Sequence, residues 1–467
     1  SVTEHSVRID GRGVPYVARA GTTLITNDEG EPTGLIYSAA YTRSDVADPA
    51  TRPVAFLFNG GPGSASLWLH MGAFGPRRVA TLDGTFTPPA PYQLVDNNES
   101  LLDVTDLVFI DAMGTGYSRA AGEATERDFY GVDEDADAFA RFIVTYLSRN
   151  GRWNSPKVII GESYGTFRAA VLTNLLQSRY AVHVNGVDLL SSVLDLSTIT
   201  FAPGDDRVYT YYLPSYAAVA WYHEAVSRRG TLEAFVDEAR RYAEGEYAAA
   251  LFKGSALTPG ERSAVAGKLA YFTGLSEDYL LKANLRVTLG QFNAELLRSR
   301  GLTAGRIDAR FTGYTFNRLT ESAESDPEGP AVGGAFTALV NHYNHEELEF
   351  GRDLDYRTRR LGGGWNWTRQ SAPQRGFPSA PNAQSDLAQA MITNPRLLVQ
   401  VENGYYDMAT PFFPSEFTMR HLGIPAELEK NIALKYYEAG HMMYLRDEDR
   451  VALKKNLAAF IAKATRP

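Results

Sequence analysis

The chain has 467 residues, 44% of them hydrophobic and 22% charged, with a formal net charge of −9 and no cysteine. That length holds two or three ordinary domains, or one large α/β domain with an insertion, and the composition supports a packed core rather than disorder. Without a basic block neither nucleic acid nor an anionic membrane is an expected partner, without an apolar run of about 18 residues no bilayer span is expected, and without cysteine there is no disulfide, thiolate metal site or cysteine nucleophile.

The sequence opens at Ser1 with no apolar signal core behind it. A removed export signal, giving a periplasmic or secreted protein, and a cytoplasmic location both stay open. Three alternating stretches follow, His5 to Ile9, Gly13 to Arg19 and Gly34 to Tyr41. They are separated by Asp10-Gly11 and Asp28-Glu29-Gly30 and read as antiparallel strands at a sheet edge. Short apolar runs come next: Val54 to Phe58, Leu107 to Ile110, Lys157 to Ile160 and Val187 to Leu190. Such runs fit strands covered on both faces, and the helical patterns between them, Asp133 to Leu147 and Phe167 to Gln177, predict a mostly parallel sheet with crossover helices.

From about Tyr209 to Tyr356 the pattern turns helical and aromatic, as in Ser215 to Ser227, Thr231 to Tyr247 and Pro259 to Phe272. Gly/Pro/Ser-rich stretches run from Glu321 to Gly334 and from Gly362 to Asn382. The α/β pattern then resumes with a helix from Asp386 to Ile392 (Ser385 as its N-cap), strands Leu397 to Val401 and Ile432 to Tyr437, and a closing helix from Asp449 to Ala464. The expectation is an α/β core in two parts, 1–200 and 381–467, interrupted by a mainly helical cap over 201–380.

Gly161-Glu162-Ser163-Tyr164-Gly165 lies between a strand and a helix. G-x-S-x-G in that setting is a nucleophile elbow, a sharp turn that exposes the serine hydroxyl at the carboxyl edge of the sheet. Ser163 is therefore the candidate nucleophile, and the Tyr164 N–H points where an oxyanion would form. A serine needs a base and the base an orienting carboxylate, in the chain order Ser, acid, His for this fold class. The two late strands run into Glu402 to Asp407 and Glu438 to His441, each just past a strand's carboxyl end. His441 is the candidate base; Glu402 and Glu438 compete as the acid, and Asp407 is preferred for its loop position. In Asn59-Gly60-Gly61-Pro62-Gly63-Ser64 the glycine pair lets backbone N–H groups approach a developing negative charge, so Gly61 N–H is the second oxyanion candidate. His342-Tyr343-Asn344-His345-Glu346-Glu347 does not carry the H-E-x-x-H spacing and reads as a solvated helix, so no metal and no cofactor is expected.

Four blocks in order resemble the serine carboxypeptidase family of α/β-hydrolases. They are Asn59 to Ser64, Asp111-Ala112-Met113-Gly114-Thr115-Gly116-Tyr117-Ser118, Gly161 to Gly165, and Ala439-Gly440-His441-Met442. The resemblance implies an α/β-hydrolase fold with antiparallel N-terminal strands, and release of the C-terminal residue from peptides through an acyl-enzyme at Ser163. It implies Ser163, Asp407 and His441 as triad, Gly61 and Tyr164 N–H as oxyanion hole, and Asn59 and Glu162 as ligands of the substrate's terminal carboxylate. Gly60, Tyr117 and Met442 are implied in the substrate pocket. Two carboxylates in contact cannot both stay ionised, so Glu162 would hold a proton and the activity would favour acidic pH.

The family's second clamp acid has no counterpart in His70 to Pro76, where Ala73 stands, and the acid motif reads Gly404-Tyr405-Tyr406-Asp407 rather than Gly-Asp-x-Asp. The expected partner is a peptide with a free C-terminal carboxylate; the oligomeric state is not readable. Ester hydrolysis or acyl transfer by the same triad is the alternative, and a non-catalytic binding protein on this fold is the third reading.

Overall fold

The computed structural model describes residues 1–360, 362–369 and 380–466. Part of the Gly/Pro/Ser-rich stretch from Gly362 to Asn382, namely 370–379, lies outside the described residues.

The main sheet is formed by β1 (Val2–Ile9), β2 (Arg12–Thr26), β3 (Pro32–Arg43), β4 (Val54–Phe58), β5 (Asp106–Ile110), β6 (Lys157–Glu162), β7 (Gly186–Leu190), β8 (Leu398–Gly404) and β9 (Ile432–Tyr437). Their order is β1-β2-β3-β5-β4-β6-β7-β8-β9, with the short strand Arg119–Ala120 beside β3. β1, β2 and β3 pair antiparallel, as does β3 with β5, while every pair from β5 to β9 is parallel. β4 to β7 are buried along their whole length, as their unbroken apolar runs require, whereas β1 alternates because one of its faces meets solvent.

Helices α1 (Val132–Arg149) and α2 (Tyr164–Tyr180) follow β5 and β6. After β7 the chain leaves the sheet for α3 (Arg207–Tyr222), α4 (Leu232–Tyr242), α5 (Pro259–Thr273) and α6 (Glu328–Glu346), and returns through α7 (Gln384–Thr393) before β8. α8 (Phe412–Arg420) lies between β8 and β9, and α9 (Asp447–Ala464) closes the chain. No helix of the described residues is long and apolar enough to cross a membrane. The sheet faces carry two separate apolar clusters, and the α3–α5 region has a third of its own. Within it Tyr216 stacks on Phe292, with ring centroids 4.1 Å apart. The expected N-cap at Ser385 lies inside the helix: α7 starts at Gln384 with Ala383 at the N-cap and no side-chain cap there, and the Asn382 side-chain oxygen accepts the Gln384 N–H at 2.7 Å.

Candidate active site

Ser163 occupies the turn between β6 and α2 with φ 61 and ψ −130. A non-glycine residue held there stores about 1–3 kcal/mol of backbone strain, and the surrounding bonds must impose it. They do so from both sides: the Ser163 N–H donates to the Leu190 carbonyl at 3.0 Å, and Thr166 returns its N–H (2.8 Å) and hydroxyl (2.7 Å) to the Ser163 carbonyl. The Tyr164 N–H opens α2, where the first amides have no intrahelical acceptor. Gly60 passes so close that a Cβ there would lie 2.5 Å from the backbone nitrogens of both Tyr164 and Gly165. Only glycine lets the Asn59–Ser64 loop bring its amides to the elbow. Arg168 of α2 anchors that loop from beneath, donating to the Asn59 carbonyl at 2.7 Å and pairing with Asp135 of α1.

His441 Nδ1 lies 2.8 Å from Asp407 Oδ2, and both residues are buried. Asp407 is fixed by the N–H groups of Ala409 (2.8 Å) and Thr410 (2.9 Å) on Oδ1 and by the Thr410 hydroxyl on Oδ2 (2.8 Å). His441 is held above its usual range: burial opposes its charge, and the charge and hydrogen bond of Asp407 outweigh burial. Glu402, the rival acid, sits inside the sheet, accepting from Gln400 and Tyr437. Ser163 and His441 line one cavity of about 320 Å³, and no hydrogen bond joins their side chains among the described residues. A larger groove, about 410 Å³, runs beside α1 and α2, but none of these three residues lines it.

The floor of the site cavity is acidic. Asn59 Nδ2 donates to Glu162 Oε1 at 2.9 Å, and Asn59 is itself held by the Leu69 N–H on its side-chain oxygen (3.0 Å). Burial pushes Glu162 up to about 7; His441 and the hydrogen bonds from Tyr444 and Asn59 pull it back, while Asp407 pushes it the same way as burial.

Gly60, Gly61, Glu162, Tyr164 and Met442 all line this cavity. Tyr117 does not. It packs edge-on against Tyr37, Phe350 and Tyr356, because the Gly116 turn is clasped to Arg357 by a pair of backbone hydrogen bonds that send the next side chain into the core. Ala73 lies in the wide π-helical turn Leu69–Phe74 and brings no acid. The polar partner there is Tyr444, whose hydroxyl donates to Glu162 Oε2 at 2.8 Å.

Three contributors escaped the sequence reading. Tyr444 is one. Glu328, the first residue of α6, is the second: it lines the cavity, is buried, and has no partner for Oε1. Burial, with Asp308, Asp326, Glu162 and Asp407 adding to it, raises Glu328 well above the carboxylate range. The third is the loop 306–309, which threads between the acid and base loops. The Arg306 carbonyl accepts the Met408 N–H (3.1 Å), the Ile307 carbonyl accepts the His441 N–H (2.9 Å), and the Ala309 N–H donates to the Tyr406 carbonyl (3.0 Å). Tyr405 and Tyr406, which stand where the resemblance leads one to expect an acid motif, bury in the aromatic cluster of the α3–α5 region. No group of three or more His, Cys, Asp or Glu among the described residues is arranged to hold a metal.

Comparison with known proteins finds similarity over part of the chain to one family. Residues 24–230 match the family model described as serine carboxypeptidase. Serine carboxypeptidase-like 45 of Arabidopsis thaliana is 26% identical over 211 residues, which span 42% of this chain and 42% of that protein's length. The crystal structure of Kex1(delta)p, a prohormone-processing carboxypeptidase from Saccharomyces cerevisiae, superposes with a TM-score of 0.56 at 13% identity, covering 96% of this chain and 91% of that one. At that identity the likeness concerns the fold, which is that of an α/β-hydrolase.

Proposed function

We propose, from the premise that this chain is related to the serine carboxypeptidases, that it removes the C-terminal residue of peptides through an acyl-enzyme at Ser163. His441 takes the Ser163 proton as the hydroxyl attacks the last peptide carbonyl, then gives it to the departing amino group. Asp407 keeps the imidazole proton on Nδ1 and stabilises the imidazolium. The N–H groups of Gly61 and Tyr164 receive the oxyanion. Water then attacks the acyl-enzyme with His441 again as base, and the shortened peptide leaves. Residues 201–380 serve as a cap over the cavity.

The observation that carries this reading over a general esterase is the Asn59–Glu162 pair beside Ser163. A buried Glu162 that stays protonated up to about pH 7 donates a hydrogen bond to the substrate's terminal carboxylate, and Asn59 supplies a second donor. Above that pH the ionised Glu162 repels the same carboxylate, so binding weakens. The activity is therefore an acidic one for peptide acids and not for their amides or esters.

The test is steady-state kinetics of an N-blocked dipeptide acid beside its amide and methyl ester from pH 4 to 9. The expected result is a KM for the acid that climbs above about pH 7 while KM for the neutral substrates does not. Equal pH dependence of all three removes the carboxylate clamp and leaves an esterase or acyltransferase. No fluorophosphonate adduct at Ser163 removes the hydrolase.

A further inference from the structure

Among the described residues, the carboxyl, imidazole and guanidinium groups that line the cavity belong to Glu162, Glu328, His441 and Arg306. Arg306 differs from its neighbours in the chain. Arg298 pairs with Glu295, Arg300 donates to the His223 carbonyl at 3.0 Å, and Arg310 pairs with Asp308. The Arg306 side chain is exposed at the cavity and has neither a hydrogen bond nor an ion pair among the described residues. Its backbone is nevertheless fixed, by the Met408 N–H on its carbonyl and by the Ile307 N–H donating to Asp326 at 2.9 Å. An arginine with a rigid root and an unclaimed guanidinium is set to recognise an anion that arrives with the substrate.

Its position in the strand order says which part of the substrate it meets. Asn59 follows β4, which neighbours β6 on one side, while Arg306 is tied to Met408, just past β8, on the other. The terminal carboxylate goes to Asn59 and Glu162 in the reading above, on which this inference rests, so the chain upstream of the scissile bond runs towards Arg306. Val193, Leu196, Ile199 and Ala409 line the cavity there and supply no competing charge.

The opposing acids do not cancel the arginine under acidic conditions. Glu162 holds its proton up to about pH 7, and Glu328 is raised well above the carboxylate range. Asp407, which also faces this region, is engaged by His441, Ala409 and Thr410. With His441 neutral, as it must be to take the Ser163 proton, Arg306 is then the charge that the substrate meets.

We infer that Arg306 is a specificity-determining residue that favours peptides carrying an aspartate or glutamate side chain immediately before the scissile bond. The pairing changes no bond: the guanidinium donates to the side-chain carboxylate while the peptide carbonyl is attacked at Ser163.

The experiment compares kcat/KM for N-blocked dipeptide acids with a common C-terminal Leu and Glu, Gln or Lys before it, at pH 5.5. The wild type is expected to favour Glu over Gln by about fivefold, the scale of one partly exposed ion pair. Arg306→Ala brings that ratio to about one, and Arg306→Glu moves the preference to Lys. A Glu:Gln ratio unchanged in Arg306→Ala overturns the inference, whether overall activity is kept or falls uniformly; uniform loss assigns Arg306 to the terminal carboxylate or to the fold. Calorimetric binding of the same peptides to Ser163→Ala, with and without Arg306→Ala, gives the ratio without turnover. A wild type that binds the Glu peptide preferentially yet cleaves none refutes the peptidase reading while supporting the anion site.

Discussion

Tyr444 donates its hydroxyl to Glu162 Oε2 at 2.8 Å, and Gly72 makes the room, since a Cβ there would stand 2.7 Å from the Tyr444 ring. The tyrosine thus occupies one oxygen of Glu162 while Asn59 holds the other. A hydrogen bond to the ionised form lowers a carboxyl's pKa, so Tyr444 works against the burial that raises Glu162. In Tyr444→Phe, Glu162 should keep its proton to higher pH. The pH at which KM for a peptide acid begins to climb is expected to move up by roughly 0.5–1 unit. The matched amide serves as control, and a KM profile that shifts down or stays put rejects the role.

Much of this site was legible because strand ends are legible. Ser163, Asp407 and His441 each follow a recognisable apolar run, and the fold supplies the rest: parallel strands deliver their carboxyl ends to one edge. Tyr444, Glu328 and Arg306 carry no such signal. Glu328 and Arg306 line the cavity from a helix start and an irregular loop, and Tyr444, on a short turn, bonds Glu162 from behind it. Tyr405 and Tyr406 looked like a weakened acid motif, yet they bury in a cluster whose other members are distant in sequence. Tyr117 was misplaced for a related reason. Motif membership says that a residue sits in a conserved-looking turn, not which side of the turn its ring leaves from, and here the Gly116–Arg357 pairing decides that.

Asp407→Asn tests the acid assignment against Glu402 and Glu438. The two N–H groups on Oδ1 will hold the asparagine oxygen in place, leaving the NH₂ group facing His441 Nδ1. The imidazole must then accept at Nδ1 and carry its proton on Nε2, the wrong tautomer for a base. The expected loss in kcat is roughly 10⁴-fold with KM for a peptide acid little changed. Glu402→Gln and Glu438→Gln, measured beside it, should keep most of kcat; a collapse in either with Asp407→Asn near wild type reassigns the acid.

Gly60→Ala places a methyl group 2.5 Å from the Tyr164 and Gly165 nitrogens, in the space that an oxyanion and its donors share. The loop must withdraw from the elbow, carrying the Gly61 N–H with it. The expected effect is a fall in kcat of roughly 10²–10³-fold, the cost of losing one oxyanion donor. Amide and acid substrates should suffer equally, because both form the same tetrahedral centre. A change confined to KM for peptide acids would instead locate Gly60 in the carboxylate clamp.

Asp188 and Glu402 stand on neighbouring strands deep in the sheet, with Leu190 paired to Glu402 and Asp188 to Gln400 in the β7–β8 register. Both Asp188 oxygens lack partners, while Glu402 accepts from Gln400 and Tyr437. Burial raises Asp188 well above its usual range, with the charge of Glu402 adding to it, and burial raises Glu402 to about 7. Groups that bind protons more tightly when folded favour the fold below their unfolded pKa, near 4, and lose that contribution as pH climbs through the folded value. The wild-type Tm should therefore fall between about pH 5 and 8. In Asp188→Asn one of the two acids is gone and its neighbour no longer faces a like charge, so the decline should be clearly shallower, with a higher Tm than wild type at the alkaline end. Thermal unfolding at matched ionic strength measures it, and parallel Tm–pH curves for the two proteins would show that the pair bears no strain from its charge.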